Sequence, residues 1–251
     1  MEKFFIGWHQ PGNGRSSGKN FDYAIYSINR LEKRKSDFLP SRLGWILDSG
    51  AFTKITSGKG HLPVGEYARQ IVRWSKCGKL MAAVCQDWMC EPFILKLTGL
   101  SVSEHQRLTL QNYQQLKSMV NSTYIMPVLQ SFKVTEYLQH LEDYGDELMT
   151  GQWVGVGSVC KRNSSPKEVE AVLNAIKSQR PDLKLHGFGL KKTALRSPEI
   201  NSLLYSADSA AAGLAKGQSS NKYVGSNCPH TAQLYYEEIM RSPIQLILDL
   251  R

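Results

Sequence analysis

The chain has 251 residues, 41% of them hydrophobic, and a formal net charge of +9. A length near 250 residues suits one α/β barrel; the apolar fraction excludes wholesale disorder, and no apolar run approaches the roughly 20 residues of a membrane helix. The positive balance has two readings, plain solubility or a polyanionic partner, and does not by itself separate DNA from RNA.

Short apolar runs recur along the chain, each followed by a polar loop and a helical pattern. Phe4–Trp8 is the first, followed by Tyr23–Tyr26, Trp45–Leu47 and Met81–Cys85. Tyr124–Leu129, Trp153–Gly157, Leu183–Phe188 and Leu203–Tyr205 complete a set of eight candidate strands. Their apolarity is continuous rather than alternating, which suits strands covered on both faces in a parallel sheet. Between them Pro63 opens a segment with Val64, Tyr67, Ile71 and Trp74 on one face. Ser101 and Glu104 have capping-box spacing ahead of Thr109, Tyr113, Leu116 and Val120. Val134, Leu138 and Leu141 mark another helix, Ser165-Pro166-Lys167-Glu168 reads as a cap and first turn, and a last helix is expected at about 231–241. Alternating strands and helices imply βαβ units. The predicted fold is a single α/β domain over residues 1–251, a (β/α)8 barrel of the TIM type, with an open doubly wound sheet as the alternative.

In such a barrel the chemistry sits at the C-terminal ends of the strands. Those ends carry His9 and Gln10, then Ser27 and Asn29, Asp48-Ser49-Gly50, Gln86-Asp87, Gln130-Ser131, Gly157-Ser158, Gly187-Phe188-Gly189 and Ser206-Ala207-Asp208. A carboxylate directly after an apolar strand is costly unless paired or used. Each aspartate also has a plainer reading: Asp48 can cap the next turn, and Asp208 a helix starting at Ser209-Ala210. Capping explains less well why Asp87 and Gln130 join them on one rim. His9 and His186 read first as satisfied structural histidines. Gly155, Gly157, Gly187 and Gly189 are either turn residues or places where a flat ligand meets the backbone. Basic residues crowd the same loops: Arg15 and Lys19, Arg30 with Lys33 to Lys35, Lys54 and Lys59, Lys161 and Arg162, Lys191 and Lys192, Lys216 and Lys222. Carboxylates below and cations around suit a polyanion held by its backbone while one unit enters a pocket.

The five cysteines, Cys77, Cys85, Cys90, Cys160 and Cys228, are odd in number and form no CxxC pair, which argues against a disulfide framework. Cys228 and His230 offer two metal ligands, fewer than a site needs, so no zinc and no other cofactor is expected.

Taken together these segments resemble the tRNA-guanine transglycosylases, the queuine tRNA-ribosyltransferase-like enzymes. Asp48-Ser49-Gly50-Ala51-Phe52 resembles their DSGGF/Y segment, and Gln86–Cys90 their second aspartate segment. Val128–Ser131 resembles their VQGG, Val154–Gly157 their glycine-rich purine-contact segment, and His186–Gly189 their MGVG. Asp208 stands where their nucleophilic aspartate stands, and the order along the chain is theirs. The runs Gln86–Phe93, Val154–Cys160 and His186–Gly189 are closer to one branch, the deazapurine-in-DNA transglycosylases of the DpdA family. The C-terminal zinc module of the tRNA enzymes has no full counterpart, with Gln233 and Tyr236 standing where further ligands would be, and Ala51 replaces the second glycine of DSGG.

The resemblance implies a pentosyltransferase that exchanges guanine in DNA for a 7-deazaguanine such as 7-cyano-7-deazaguanine. Asp208 would be the nucleophile and Asp48 the general acid and base. Ser49, Phe52, Asp87, Gln130, Gly155, Gly157 and Gly187 would contact the base, and Arg15, Lys19, Arg30, Lys161, Arg162, Lys191 and Lys192 the nucleic acid. A tRNA transglycosylase is the first alternative. A base-removing glycosidase and a catalytically silent nucleic-acid-binding subunit are the others. The opening Met-Glu-Lys-Phe-Phe-Ile reads as a strand, not a signal peptide, so a cytoplasmic setting in a bacterium or a phage-infected host cell is expected, with no membrane partner and a homodimer as the assembly to test.

Overall fold

The computed structural model describes residues 1–8, 11, 20–162, 164–210 and 229–240, with the backbone alone for 229–231. Its strands are β1 (Lys3–Gly7), β2 (Tyr23–Ser27), β3 (Gly44–Asp48), β4 (Leu80–Val84), β5 (Ile125–Met126), β6 (Val128–Leu129), β7 (Trp153–Val156), β8 (Lys184–Gly187) and β9 (Leu204–Ser209). Every pairing is parallel, in the order β5-β4-β3-β2-β1-β9-β8-β7-β6. The two ends of that order, β5 and β6, are successive in the chain and separated by Pro127 alone. The carbonyls of Tyr124 and Met126 accept from Ala83 and Cys85, whereas those of Pro127 and Leu129 accept from Gly155 and Gly157 on the other side. One stretch therefore joins both edges, and the sheet curls nearly closed into an α/β barrel. The expected fifth strand is divided at Pro127, which has no N–H to give to a ladder.

The helices are α1 (Ala51–Thr56), α2 (Val64–Trp74), α3 (Pro92–Thr98), α4 (Val102–Met119), α5 (Val134–Tyr144), α6 (Pro166–Gln179), α7 (Lys192–Leu195), α8 (Pro198–Leu203) and α9 (Pro229–Met240). The capping box ahead of α4 forms as expected: Ser101 Oγ accepts from Glu104 N–H, and Ser101 N–H donates to the Glu104 carboxylate at 2.8 Å. Ser165 differs, making no side-chain cap at α6, where Pro166 alone marks the start. Short α1, α3, α7 and α8 are not legible as apolar periodicity because each spans fewer than two full turns of buried face. None of these helices is long and apolar enough to cross a membrane.

The core has two shells. Outside the strands, Tyr26, Phe38, Trp45 and Trp74 meet edge to face where α2 covers the sheet. Inside the barrel, Phe5, Trp153 and His186 form a triangle with ring centroids 5.9 to 6.0 Å apart. This layer fills the barrel, and the strand ends lie above it.

Candidate active site

Because all strands run the same way, their polar C-termini converge on one end of the barrel and surround a cavity of about 710 Å³. Asp48, Asp87 and Asp208 all line it, with Gln130, Gly157 and Phe52.

Asp48 is the last residue of β3, and its Oδ2 accepts from Gly50 N–H at 3.0 Å. The turn-capping reading of this residue is thus met, and the same side chain still faces the cavity. Gly50 has φ 72°, and a Cβ there would lie 2.4 Å from the Asn29 amide, which donates to the Gly50 carbonyl at 3.0 Å. Glycine is required at that position on both counts. Ala51 begins α1 in helical conformation and so tolerates its methyl. Although one edge of Asp48 remains open to the cavity, protein atoms crowd it. Lost hydration, then the Asp87 charge, push its carboxyl up to about 7 against hydrogen bonds from Gly50 and Ser27.

Asp87 follows β4 and is buried. Ser49 Oγ donates to its Oδ1 at 3.1 Å, and Gln130 Nε2 to its Oδ2. Gln130 in turn accepts from Ser158 Oγ at 2.9 Å. Ser158 has φ 59°, a left-handed conformation rare for a side-chain-bearing residue and common at functional sites. A Cβ on Gly157 would fall 2.1 Å from the Gln130 amide, so that glycine makes room for this chain of contacts. Burial raises the Asp87 carboxyl, opposed by His61 and Gln130.

Asp208 lies inside β9 and caps none of the described helices. Its Oδ1 accepts from Gly189 N–H at 3.0 Å and from His186 Nε2 at 3.2 Å. The expected structural role of His186 is therefore incomplete, since the buried ring touches a cavity carboxylate directly. Glu91 was missed by sequence reasoning; it is 2% exposed, lines the cavity and leaves Oε2 without a partner among the described residues. Burial raises its carboxyl too. The Glu91-Pro92 step into α3 was the available signal.

Other expected contacts separate. Ser49 stands behind Asp87 rather than on the cavity wall. Gly155 and Gly187 are also off the wall: a Cβ there would meet the Phe188 ring at 2.3 Å and Leu190 at 2.6 Å, so the protein itself fills the space they leave. Phe52 stands at the rim, half exposed, edge-on to Phe93 at 6.4 Å, and the Lys161 ammonium lies 4.8 Å from its centroid. Arg30 and Lys161 border the cavity. Arg162 is turned inward, donating to Glu168 at 2.9 Å and to the Phe132 carbonyl. Lys192 pairs with Glu238 and lies 4.7 Å from the Tyr235 centroid. His9, Gln10, Arg15, Lys19, Lys216, Lys222 and Cys228, and the side chain of His230, lie outside the described residues. Among the described residues no three His, Cys, Asp or Glu side chains are grouped to hold a metal ion.

The arrangement sets three carboxylates around one cavity, Asp48 held by Gly50, Asp87 by Ser49 and Gln130, and Asp208 by Gly189 and His186. A family model described as DpdA, DeoxyPurine in DNA protein A, matches residues 1–234 of the chain. No curated protein matches it.

Proposed function

The chain belongs to the DpdA family, and from that premise we propose that it exchanges guanine in DNA for a 7-deazaguanine base by double displacement. The observation that carries this reading is the convergence of Asp48 and Asp208, one desolvated and one tied to two donors, on a cavity whose base-reading carboxylate is Asp87.

In the first half-reaction the Asp208 carboxylate bonds to C1′ as the C1′–N9 bond breaks. The electron pair leaves with guanine, which takes the Asp48 proton. In the second, N9 of the incoming base attacks C1′, its proton passes to Asp48, and the C1′–O bond breaks to regenerate Asp208. Two inversions retain the sugar configuration, as in retaining glycosidases. A carboxyl near 7 suits Asp48, because it must give a proton and then take one at the same pH. Ser49 and Gln130 orient Asp87 so that its remaining lone pairs accept from guanine N1–H and the 2-amino group, and the second amide hydrogen of Gln130 serves O6. A paired duplex hides C1′ and the base edge, so the target nucleotide is flipped or single-stranded. Arg30, Lys161, Lys191 and Lys192 take the flanking phosphates, while Arg162 holds the loop that carries Lys161.

The test is nucleoside mass spectrometry after incubating the protein with labelled 7-cyano-7-deazaguanine and either DNA or tRNA. Label in DNA is expected. Label in tRNA with none in DNA overturns the substrate and selects the tRNA reading, and free guanine with no incorporation selects a base-removing glycosidase.

A further inference from the structure

His186, Ser206 and Trp153 form a polar line inside the barrel, and the reaction above gives Ser206 and Trp153 no role and His186 no step of its own. His186 and Ser206 are fully buried inside the barrel. Trp153 Nε1 lies 2.8 Å from Ser206 Oγ, Ser206 Oγ lies 2.9 Å from His186 Nδ1, and His186 Nε2 lies 3.2 Å from Asp208 Oδ1. Donor and acceptor roles follow from the chemistry of each group. Indole can only donate, so Ser206 Oγ accepts from Trp153. With the Asp208 carboxylate facing Nε2, a neutral imidazole carries its hydrogen there, and Nδ1 accepts the hydroxyl hydrogen of Ser206.

A break in register builds this line. Leu185 pairs with Leu204, but His186 pairs with Ser206 rather than Tyr205. The extra residue in β9 turns Ser206 and Asp208 onto the face that His186 occupies. Regular pairing would have set His186 opposite Tyr205 and left Asp208 on the other side of the alternation.

We propose that His186 is a positioning residue for Asp208, holding Oδ1 so that Oδ2 is the attacking atom and stabilising the carboxylate when it departs in the second half-reaction. Among the described residues Oδ2 accepts from no group, while Oδ1 takes both the His186 and Gly189 hydrogens. This rests on the reading of Asp208 as nucleophile. Two donors on Oδ1 do unequal work in the two steps. In the first they bind the carboxylate before it attacks and lose strength as it becomes an ester. In the second they gain strength as the C1′–Oδ2 bond breaks and charge returns to Asp208. Removing one donor therefore slows ester breakdown more than ester formation.

The experiment uses the full chain and a guanine-containing DNA oligonucleotide. Adduct formation is followed by denaturing electrophoresis without incoming base, and adduct breakdown by a chase with 7-cyano-7-deazaguanine. His186→Leu is expected to slow breakdown by about 10²-fold and formation by about tenfold or less, so that adduct accumulates during turnover. His186→Gln, which keeps an N–H within reach, recovers part of the breakdown rate. Ser206→Ala keeps the imidazole but removes the hydroxyl that sets its tautomer, giving a smaller accumulation; it decides the matter if His186→Leu does not fold. Formation and breakdown slowed equally, or a raised KM alone, overturns the proposal in favour of a packing role. Absence of adduct in the unmodified protein overturns the nucleophile reading instead, whereas an adduct lost in Asp208→Ala and unchanged in both relay variants overturns this inference alone.

Discussion

The β3–β4 and β8–β9 edges of the cavity each present carboxylates at strand ends, yet they treat them in opposite ways. At the first edge Asp48 and Asp87 are stripped of water and face one another's charge, and Asp48 is pushed up to about 7. At the second Asp208 is met by a backbone N–H and an imidazole that both donate to a single oxygen. On the proposed reading the same residue type serves as proton carrier on one side and as nucleophile on the other, and the two environments separate the roles.

The largest effect that tests this division is Asp208→Ala, expected to cut exchange by at least about 10⁴-fold and abolish the denaturant-resistant adduct while the melting temperature holds. Near-normal turnover in that variant would dissolve the contrast between the edges. Asp87→Asn comes next. The amide sets a donor against the donors of guanine and of Gln130, and kcat/KM for guanine exchange should fall by about 10²–10³-fold with folding intact. Equal rates on guanine and on an analogue lacking the 2-amino group, measured in the unmodified protein, would remove Asp87 from base reading.

Asp48 sharpens the comparison through pH. Guanine departure needs its acid form and should slow about tenfold per unit above pH 7, while attack by the incoming base needs the carboxylate and should slow below it; single-turnover rates of the two steps would show the crossing. Stability carries the same signature. The folded protein keeps this proton from the ordinary value of 3.8 up to about 7, so the contribution is favourable at low pH and is lost as pH rises through that window. Asp48→Asn should therefore stabilise the fold at pH 8, by at most about 4 kcal/mol, with the gain shrinking toward pH 5 in thermal melts. The smallest effect is at the rim of the β8–β9 edge. Replacing Lys191 and Lys192 together should weaken binding to all DNA sequences a few-fold and flatten the salt dependence, without changing the base exchanged. A change in base choice would mean that these cations reach the pocket.

Much of the site could be read before any tertiary contact was known. Asp48, Asp87, Gln130 and Asp208 were visible because each interrupts or follows an apolar run that burial on both faces demands. Glu91 escaped because it opens a short helix, and His186 because a histidine within a strand carries no sign of what its ring will meet. Gly155 and Gly187 suggested a ligand against the backbone, and the rings and chains that occupy their space come from Phe188 and Leu190. Arg162 looked like its neighbour Lys161 and turns the opposite way, into Phe132 and Glu168.

By itself the sequence determined the parallel α/β layout, the number of strand positions around the barrel and the carboxylates at its mouth, since all three follow from local apolarity and its punctuation. Only the tertiary structure decided which atoms meet. Closure across Pro127 joins β4 to β7 through one short stretch. The extra residue in β9 brings Ser206 and Asp208 under His186. Ser49, Asp87, Gln130 and Ser158, drawn from four separate loops, become one hydrogen-bonded chain. These outcomes depend on register between strands distant in sequence, and a shift of one residue in a strand would send every side chain beyond it to the opposite face.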